Sequence, residues 1–98
     1  MDKIDAISRL KEREHELRKA GLSALYLFGS FARGDSGDGS DIDLACEVDA
    51  SRRLGLFQFA AIQTNLEQLL DRQVDLVEMD ALHKRVLDHA RADMVRIF

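Results

Sequence analysis

The sequence predicts an α/β fold, of the α+β kind, in which helices pack on a small mixed β-sheet. Three short apolar runs with strand character alternate along the chain with longer segments whose apolar residues recur at helical spacing. The chain contains no proline, so glycines, helix caps and changes of period delimit the elements. The resulting order is α-β-α-β-α-β-α, which counts one short helical turn after the first strand.

The N-terminal half begins with a predicted helix over about residues 3 to 20, which ends at Gly21. A strand covered on both faces follows from Ser23 to Phe28. The "FARG" segment after Gly29 predicts the short helical turn. The second strand alternates more cleanly between Asp41 and Val48, with apolar residues on one face and carboxylates on the other.

The C-terminal half continues with a helix from Leu54 to about Asp71, whose apolar stripe is typical of a helix lying on a sheet. Gln73 to Met79 reads as a third strand. Asp80 then predicts an N-cap for a last amphipathic helix from Leu82 to Met94. We expect Phe98, after that helix, to be an exposed apolar contact for a partner.

Length and composition narrow the class of protein. Ninety-eight residues suit a single domain, residues 1–98, and 46% apolar content is ordinary for a globular chain. A net charge of −4 without a basic stripe disfavours direct nucleic-acid binding. No apolar run approaches the roughly 18 residues of a membrane span. Cys46, the only cysteine, is expected to be a small core residue, and the protein is expected in the cytoplasm with no membrane contact.

A candidate site emerges at the ends of the predicted strands. The turn after the first strand would direct the Ser30 hydroxyl and backbone N–H groups near Gly29 towards an anion. Asp41 and Asp43 leave the same face of the second strand, with Cα atoms about 7 Å apart. Asp75 joins them if the third strand lies beside the second. Converging carboxylates call for a divalent cation, and ligands without His or Cys favour Mg²⁺, or Mn²⁺, and phosphoryl chemistry.

Each of these residues also has an ordinary structural interpretation. Ser30 suits a helix N-cap, and the segment from Asp35 to Ser40 suits any exposed turn. Asp41 and Asp43 suit the solvent face of an edge strand. Their combination at these positions favours the functional interpretation. The three histidines are expected to be surface or helix-end residues: His15, His83 and His89.

Residues 29–44, "GSFARGDSGDGSDIDL", resemble the signature of the polymerase-beta-like nucleotidyltransferase superfamily. The length of the chain, the "LFGS" lead-in and the later "LLDRQVDLVEM" resemble the minimal nucleotidyltransferases (MNT). These are the antitoxin half of the HEPN–MNT toxin–antitoxin pairs of prokaryotes. The resemblance extends from the first strand to the last helix, and the Asp-x-Asp pair is its most specific part.

The resemblance implies a nucleotidyltransferase fold and a two-metal, Mg²⁺-dependent transfer of AMP from ATP, with diphosphate leaving. Carried over by position, Asp41, Asp43 and Asp75 would be the catalytic carboxylates and the metal ligands. Asp75 would also lie nearest the incoming hydroxyl, where it would ligate the catalytic metal and accept the proton or orient the nucleophile.

The resemblance also implies a nucleotide site. Gly29 and Ser30 would hold the triphosphate, and Ser40 would belong to the same site. Arg33 matches an arginine of the family, and two positions for it stay open. It would lie near the phosphates or form a salt bridge that fixes the loop.

An acceptor is expected from a second protein. Larger relatives carry a further domain that binds the acceptor, whereas this sequence extends only about one helix beyond Asp75. The resemblance implies a HEPN ribonuclease toxin that is silenced when a tyrosine hydroxyl receives AMP. Two other functions stay open: an antitoxin that neutralises by occlusion, with a vestigial metal site, and nucleotidyl transfer to a small molecule such as an aminoglycoside.

Overall fold

The structure is a computed structural model, and it describes residues 2–34, 41–82 and 84–98. The predictions for Ser40, for the turn of residues 35–40 and for His83 lie outside the described residues. None of the helices in the described ranges is both long and apolar enough to cross a membrane.

The predicted first helix is divided into two. Helix α1 spans Lys3–Glu12 and helix α2 spans Glu14–Ala20. The backbone N–H of Arg13 donates to the carbonyl of Leu10 at 3.1 Å, a three-residue turn that ends α1. A helical period continues across such a break, so the apolar spacing alone does not reveal it.

The central elements follow the predicted order. Strand β1 spans Leu22–Phe28 and the short helix α3 spans Gly29–Arg33. Strand β2 spans Ile42–Val48, helix α4 spans Leu56–Leu70 and strand β3 spans Val74–Glu78. The prediction of helices packed with a small sheet is confirmed.

The predicted C-terminal helix is wrong at both ends. Asp80 lies within a 3₁₀ helix, Met79–Ala81, and helix α5 spans only Lys84–Arg91. Val95–Arg96 then form strand β4, which pairs with β1. Two residues are too few to show a strand period, so the sequence pattern does not predict a strand after the helix.

The sheet has the order β3-β2-β1-β4. Strand β1 is antiparallel to both β2 and β4, whereas β2 and β3 are parallel, so the predicted mixed sheet is confirmed. One face of the sheet packs against α1, α2 and α4 through buried residues of all three helices and of the strands. Because β1 ends where β2 and β3 begin, the residues of the candidate site meet at one end of the sheet.

The core contains two residues of particular interest. Cys46 is fully buried, as expected, and burial, with a smaller contribution from Glu78 and Glu47, raises the pKa of its thiol to about 12. Phe98 is only 7% exposed, so the expectation that it forms an exposed partner contact is wrong. Its carbonyl accepts from the N–H of Leu25 at 3.1 Å, which fastens the C-terminal segment to β1.

Replacement of Phe98 by Ala should lower the free energy of unfolding by about 3 kcal/mol, because a buried aromatic side chain is lost from the core. The Arg18 guanidinium, which lies 4.9 Å from the ring centroid, loses this cation–π contact at the same time. Urea denaturation measures the change. Phe57→Ala is the matched control: Phe57 is 89% exposed, and its loss should change the stability by less than about 0.5 kcal/mol. Equal effects of the two substitutions would contradict the burial of Phe98.

Candidate active site

The parallel pairing of β2 with β3 brings two carboxylates side by side. Asp43 is the register partner of Asp75, and paired residues of neighbouring strands project from the same face of a sheet. Asp41 precedes β2 by one residue and lies two positions before Asp43. Asp41 and Asp75 are exposed and Asp43 is half-buried. The structure therefore meets the condition on which the three-carboxylate site depends.

The electrostatics agree with this convergence. The pKa of Asp43 is raised, first by burial and then by the negative charges of Asp75 and Asp41. The positive charge of Arg33 acts in the opposite direction and lowers the same pKa. Asp43 is thus the point at which all the charged candidates interact, and it is a position where an added cation would be favourable.

Gly29 lies against the Asp43 carboxylate. Phe28, the last residue of β1, pairs with Asp43, and the chain then turns at Gly29 with φ of +78°. A Cβ atom built on Gly29 would lie 2.3 Å from Oδ2 of Asp43, closer than any real contact. The position therefore needs glycine for two reasons, the left-handed backbone and the carboxylate beside it. Ser30 follows in the first turn of α3 and is half-buried.

Arg33, in the last turn of α3, forms a salt bridge. Its Nη1 atom lies 3.4 Å from Oδ2 of Asp93, which comes between α5 and β4. On its other side α3 is fixed by Phe31, which is buried, and the Arg72 guanidinium lies 5.4 Å from the centroid of that ring. The sequence offered no signal for Asp93, because an acidic residue near a helix end is common and its partner is 60 residues away.

Other candidates lie apart from this group. His15 is exposed on α2, as expected of a surface histidine. A cavity of about 450 Å³ lies between α2 and α4 and is lined by residues of those helices, among them Leu17, Ile62 and Leu66. None of the candidate residues lines this cavity, so it is separate from the candidate site.

A family model of the nucleotidyltransferase domain matches residues 7–97. The chain belongs to this nucleotidyltransferase family. It is 30% identical over 98 residues to the protein adenylyltransferase MntA of Thermococcus cleftensis, a match that covers 99% of this chain and 95% of the relative. The resemblance drawn from the sequence is confirmed, and nucleotidyl transfer is the class of reaction.

Solved structures agree with this assignment. A structure assigned as a minimal nucleotidyltransferase has a TM-score of 0.80 at 27% identity, over 97% of this chain and 95% of that one. A tri-AMPylated HEPN toxin of Shewanella oneidensis in complex with its MNT antitoxin provides a second match. Its TM-score is 0.62 at 22% identity, over 91% of this chain and 70% of that one. At that level of identity, the second likeness shows the fold alone.

The donor set of this nucleotidyltransferase fits a hard divalent cation. Across residues 2–34, 41–82 and 84–98, no three His, Cys, Asp or Glu side chains are already grouped to hold an ion. Mg²⁺, however, typically uses one or two carboxylates and completes its shell with water and substrate phosphate oxygens. Asp43 with Asp75 or Asp41 supplies such a pair, and the raised pKa of Asp43 shows that these charges interact.

Gly29→Ala should lower nucleotidyl transfer by about 100-fold, because the new methyl group displaces the Asp43 carboxylate. Gly34→Ala is the matched control. Gly34 has nearly the same backbone angle, φ of +79°, but a Cβ built there meets nothing within 4 Å. Both variants should lose about 1 kcal/mol of stability from backbone strain, whereas only Gly29→Ala should lose activity. Equal activity of the two variants would show that the contact with Asp43 does not matter.

Proposed function

We propose that this nucleotidyltransferase transfers AMP from ATP to a tyrosine hydroxyl of a HEPN ribonuclease toxin and thereby inactivates it. The observation that carries the proposal is the register that sets Asp43 beside Asp75, with Asp41 two residues away. The acceptor class is supported by the relative named as a protein adenylyltransferase and by the fold shared with an antitoxin bound to an AMPylated HEPN toxin. A toxin partner of this kind would place the reaction in the cytoplasm.

The three carboxylates would hold two Mg²⁺ ions, with Mn²⁺ as a substitute. When bound, the metal supplies charge neutralisation at the phosphates and activation of the attacking oxygen. The chain's own part is to set the carboxylates at one end of a rigid sheet. Asp43, half-buried and beside both other carboxylates, is the member that both sites would share.

The nucleotide would lie along the start of α3. Gly29 lets the chain pass close to Asp43. Ser30 lies in the first turn of the same short helix, and Arg33 lies in its last turn. We assign these three residues, together with Ser40, to the triphosphate. An arginine suits this role because its planar fork donates two hydrogen bonds to phosphate oxygens.

The reaction is an in-line displacement at the α-phosphorus. A bond forms between the acceptor oxygen and phosphorus, the bond to the β-phosphate oxygen breaks, and diphosphate leaves. The acceptor hydroxyl gives up its proton to Asp75, which is exposed on the edge strand β3 and accessible to a second protein. Positioning and charge neutralisation provide most of the rate enhancement in such transfers.

The test is transfer of label from α-labelled ATP, with Mg²⁺, to the protein encoded by the neighbouring gene, which the proposal expects to be a HEPN toxin. Asp41→Asn with Asp43→Asn should lower labelling by at least about 1,000-fold, because the developing charge is no longer neutralised. Glu47→Gln is the matched control. Glu47 is exposed and lies on the same face of β2 as Asp43, four residues further along the strand. Unlabelled partner in the wild-type reaction, or equal labelling by the double variant, would refute the proposal.

The two remaining candidate functions give different outcomes in the same system. If the protein neutralised by occlusion, the double Asp variant would still protect cells from the toxin at normal protein levels. If a small molecule were the acceptor, label would appear in that molecule, and expression would confer resistance to an aminoglycoside.

Removal of the metal should abolish transfer. Excess EDTA should reduce labelling to background, because the mutual repulsion of the three carboxylates is then uncompensated and the charge of the phosphates is no longer neutralised. Added Mg²⁺ should restore full activity, and Mn²⁺ should restore a substantial part of it. Circular dichroism recorded in EDTA is the control for unfolding. Undiminished labelling in excess EDTA would exclude the metal from the reaction.

A further inference from the structure

Arg33 is held by a residue distant in the sequence. The salt bridge to Asp93 joins side chains that are 45% and 32% exposed, so neither partner is free in solvent or fully buried. The positive charge of Arg33 also lowers the pKa of Asp43. The guanidinium therefore interacts electrostatically with a carboxylate of the active site and forms an ion pair with one outside it.

Asp93 lies in the turn that leads from α5 into the sheet. Its backbone N–H donates to the carbonyl of Ala90 at 3.1 Å, in the turn between α5 and β4. Val95 pairs with Leu27 in the antiparallel ladder of β4 and β1. Asp93 lies two residues before Val95, and α3 begins two residues after Leu27, so Asp93 and α3 both adjoin the same end of this strand pair.

We infer that Asp93 is a positioning residue for AMP transfer, whose carboxylate holds the Arg33 guanidinium in place to receive the triphosphate of ATP. The inference rests on the proposed function, which assigns Arg33 to the nucleotide. Asp93 does not touch the substrate. Its effect is to order the long, flexible side chain of Arg33 before ATP binds. The entropy cost of ordering that side chain is then not part of the free energy of binding.

The effect of Asp93 is separable from the stability of α3. Phe31, in the middle of α3, is buried in the core and lies under the Arg72 guanidinium. The helix is therefore anchored on that side whatever occupies position 93. A neutral residue at 93 removes one of the charged groups that hold the side chain of Arg33 and leaves the helix in place, so the expected change is in ATP binding and not in folding.

The kinetic test compares Asp93→Asn with Asp93→Glu in the AMP-transfer assay. Asp93→Asn should raise the KM for ATP about three- to tenfold and change kcat less than about twofold, as expected for loss of a partly exposed ion pair that acts before binding. Asp93→Glu keeps the charge and should restore KM to within about twofold. Glu16→Gln, which breaks a more exposed pair with Arg13 at the same 3.4 Å separation, should leave both constants unchanged. An unchanged KM in Asp93→Asn overturns the inference.

A second measurement does not depend on activity. Nuclear magnetic relaxation of the Arg33 Nε–Hε group should report equal side-chain order in the wild type and in Asp93→Glu, and lower order in Asp93→Asn. Equal order in all three overturns the inference. If the wild type transferred no AMP to any acceptor, the proposed function would fail, and the relaxation data would still decide whether Asp93 orders Arg33.

Discussion

The site depends on one pairing, the parallel contact of β2 with β3 that places Asp43 next to Asp75. Two carboxylates side by side repel each other, and partial burial of Asp43 adds to the cost of its charge. A sheet keeps this arrangement only because the opposite faces of the same strands are packed into the core through Leu44 and Leu76. The apolar face thus stabilises the register, and the register creates an electrostatic demand that a divalent cation would satisfy.

Gly29 belongs to the same constraint. Its sequence position suggested a glycine that lets the backbone approach a phosphate, whereas its surroundings show a glycine that lets the backbone approach Asp43. The two explanations are compatible, because a carboxylate that binds metal and a loop that binds phosphate must lie close together. The structure adds that Gly29 lies directly against the Asp43 carboxylate, so the strand end and the carboxylate form one unit.

The sequence was sufficient for most of the fold and for the carboxylates, for identifiable reasons. The strand alternation in β2 defines which side Asp43 faces, whereas the position of β3 beside β2 was a condition of the prediction that the structure meets. The features that the sequence did not predict are a helix break, a very short strand and a contact between residues far apart in the chain. The break at Arg13 keeps the helical period, and β4 has two residues. The contact between Arg33 and Asp93 spans 60 residues and is produced by the fold alone.

The missed C-terminal segment has a consequence for the active site. Without a strand after the last helix, Phe98 would be exposed and β1 would be an edge strand. As a strand, the segment covers that edge of β1 and buries Phe98, and the turn that leads into it carries Asp93 to the start of α3. Strand β1 is therefore flanked by β2, which bears Asp43, and by β4, which follows the turn that holds Asp93, the partner of Arg33. Since α3 directly continues β1, the candidate phosphate residues are positioned from both sides by hydrogen-bonded strands, which are more rigid than loops.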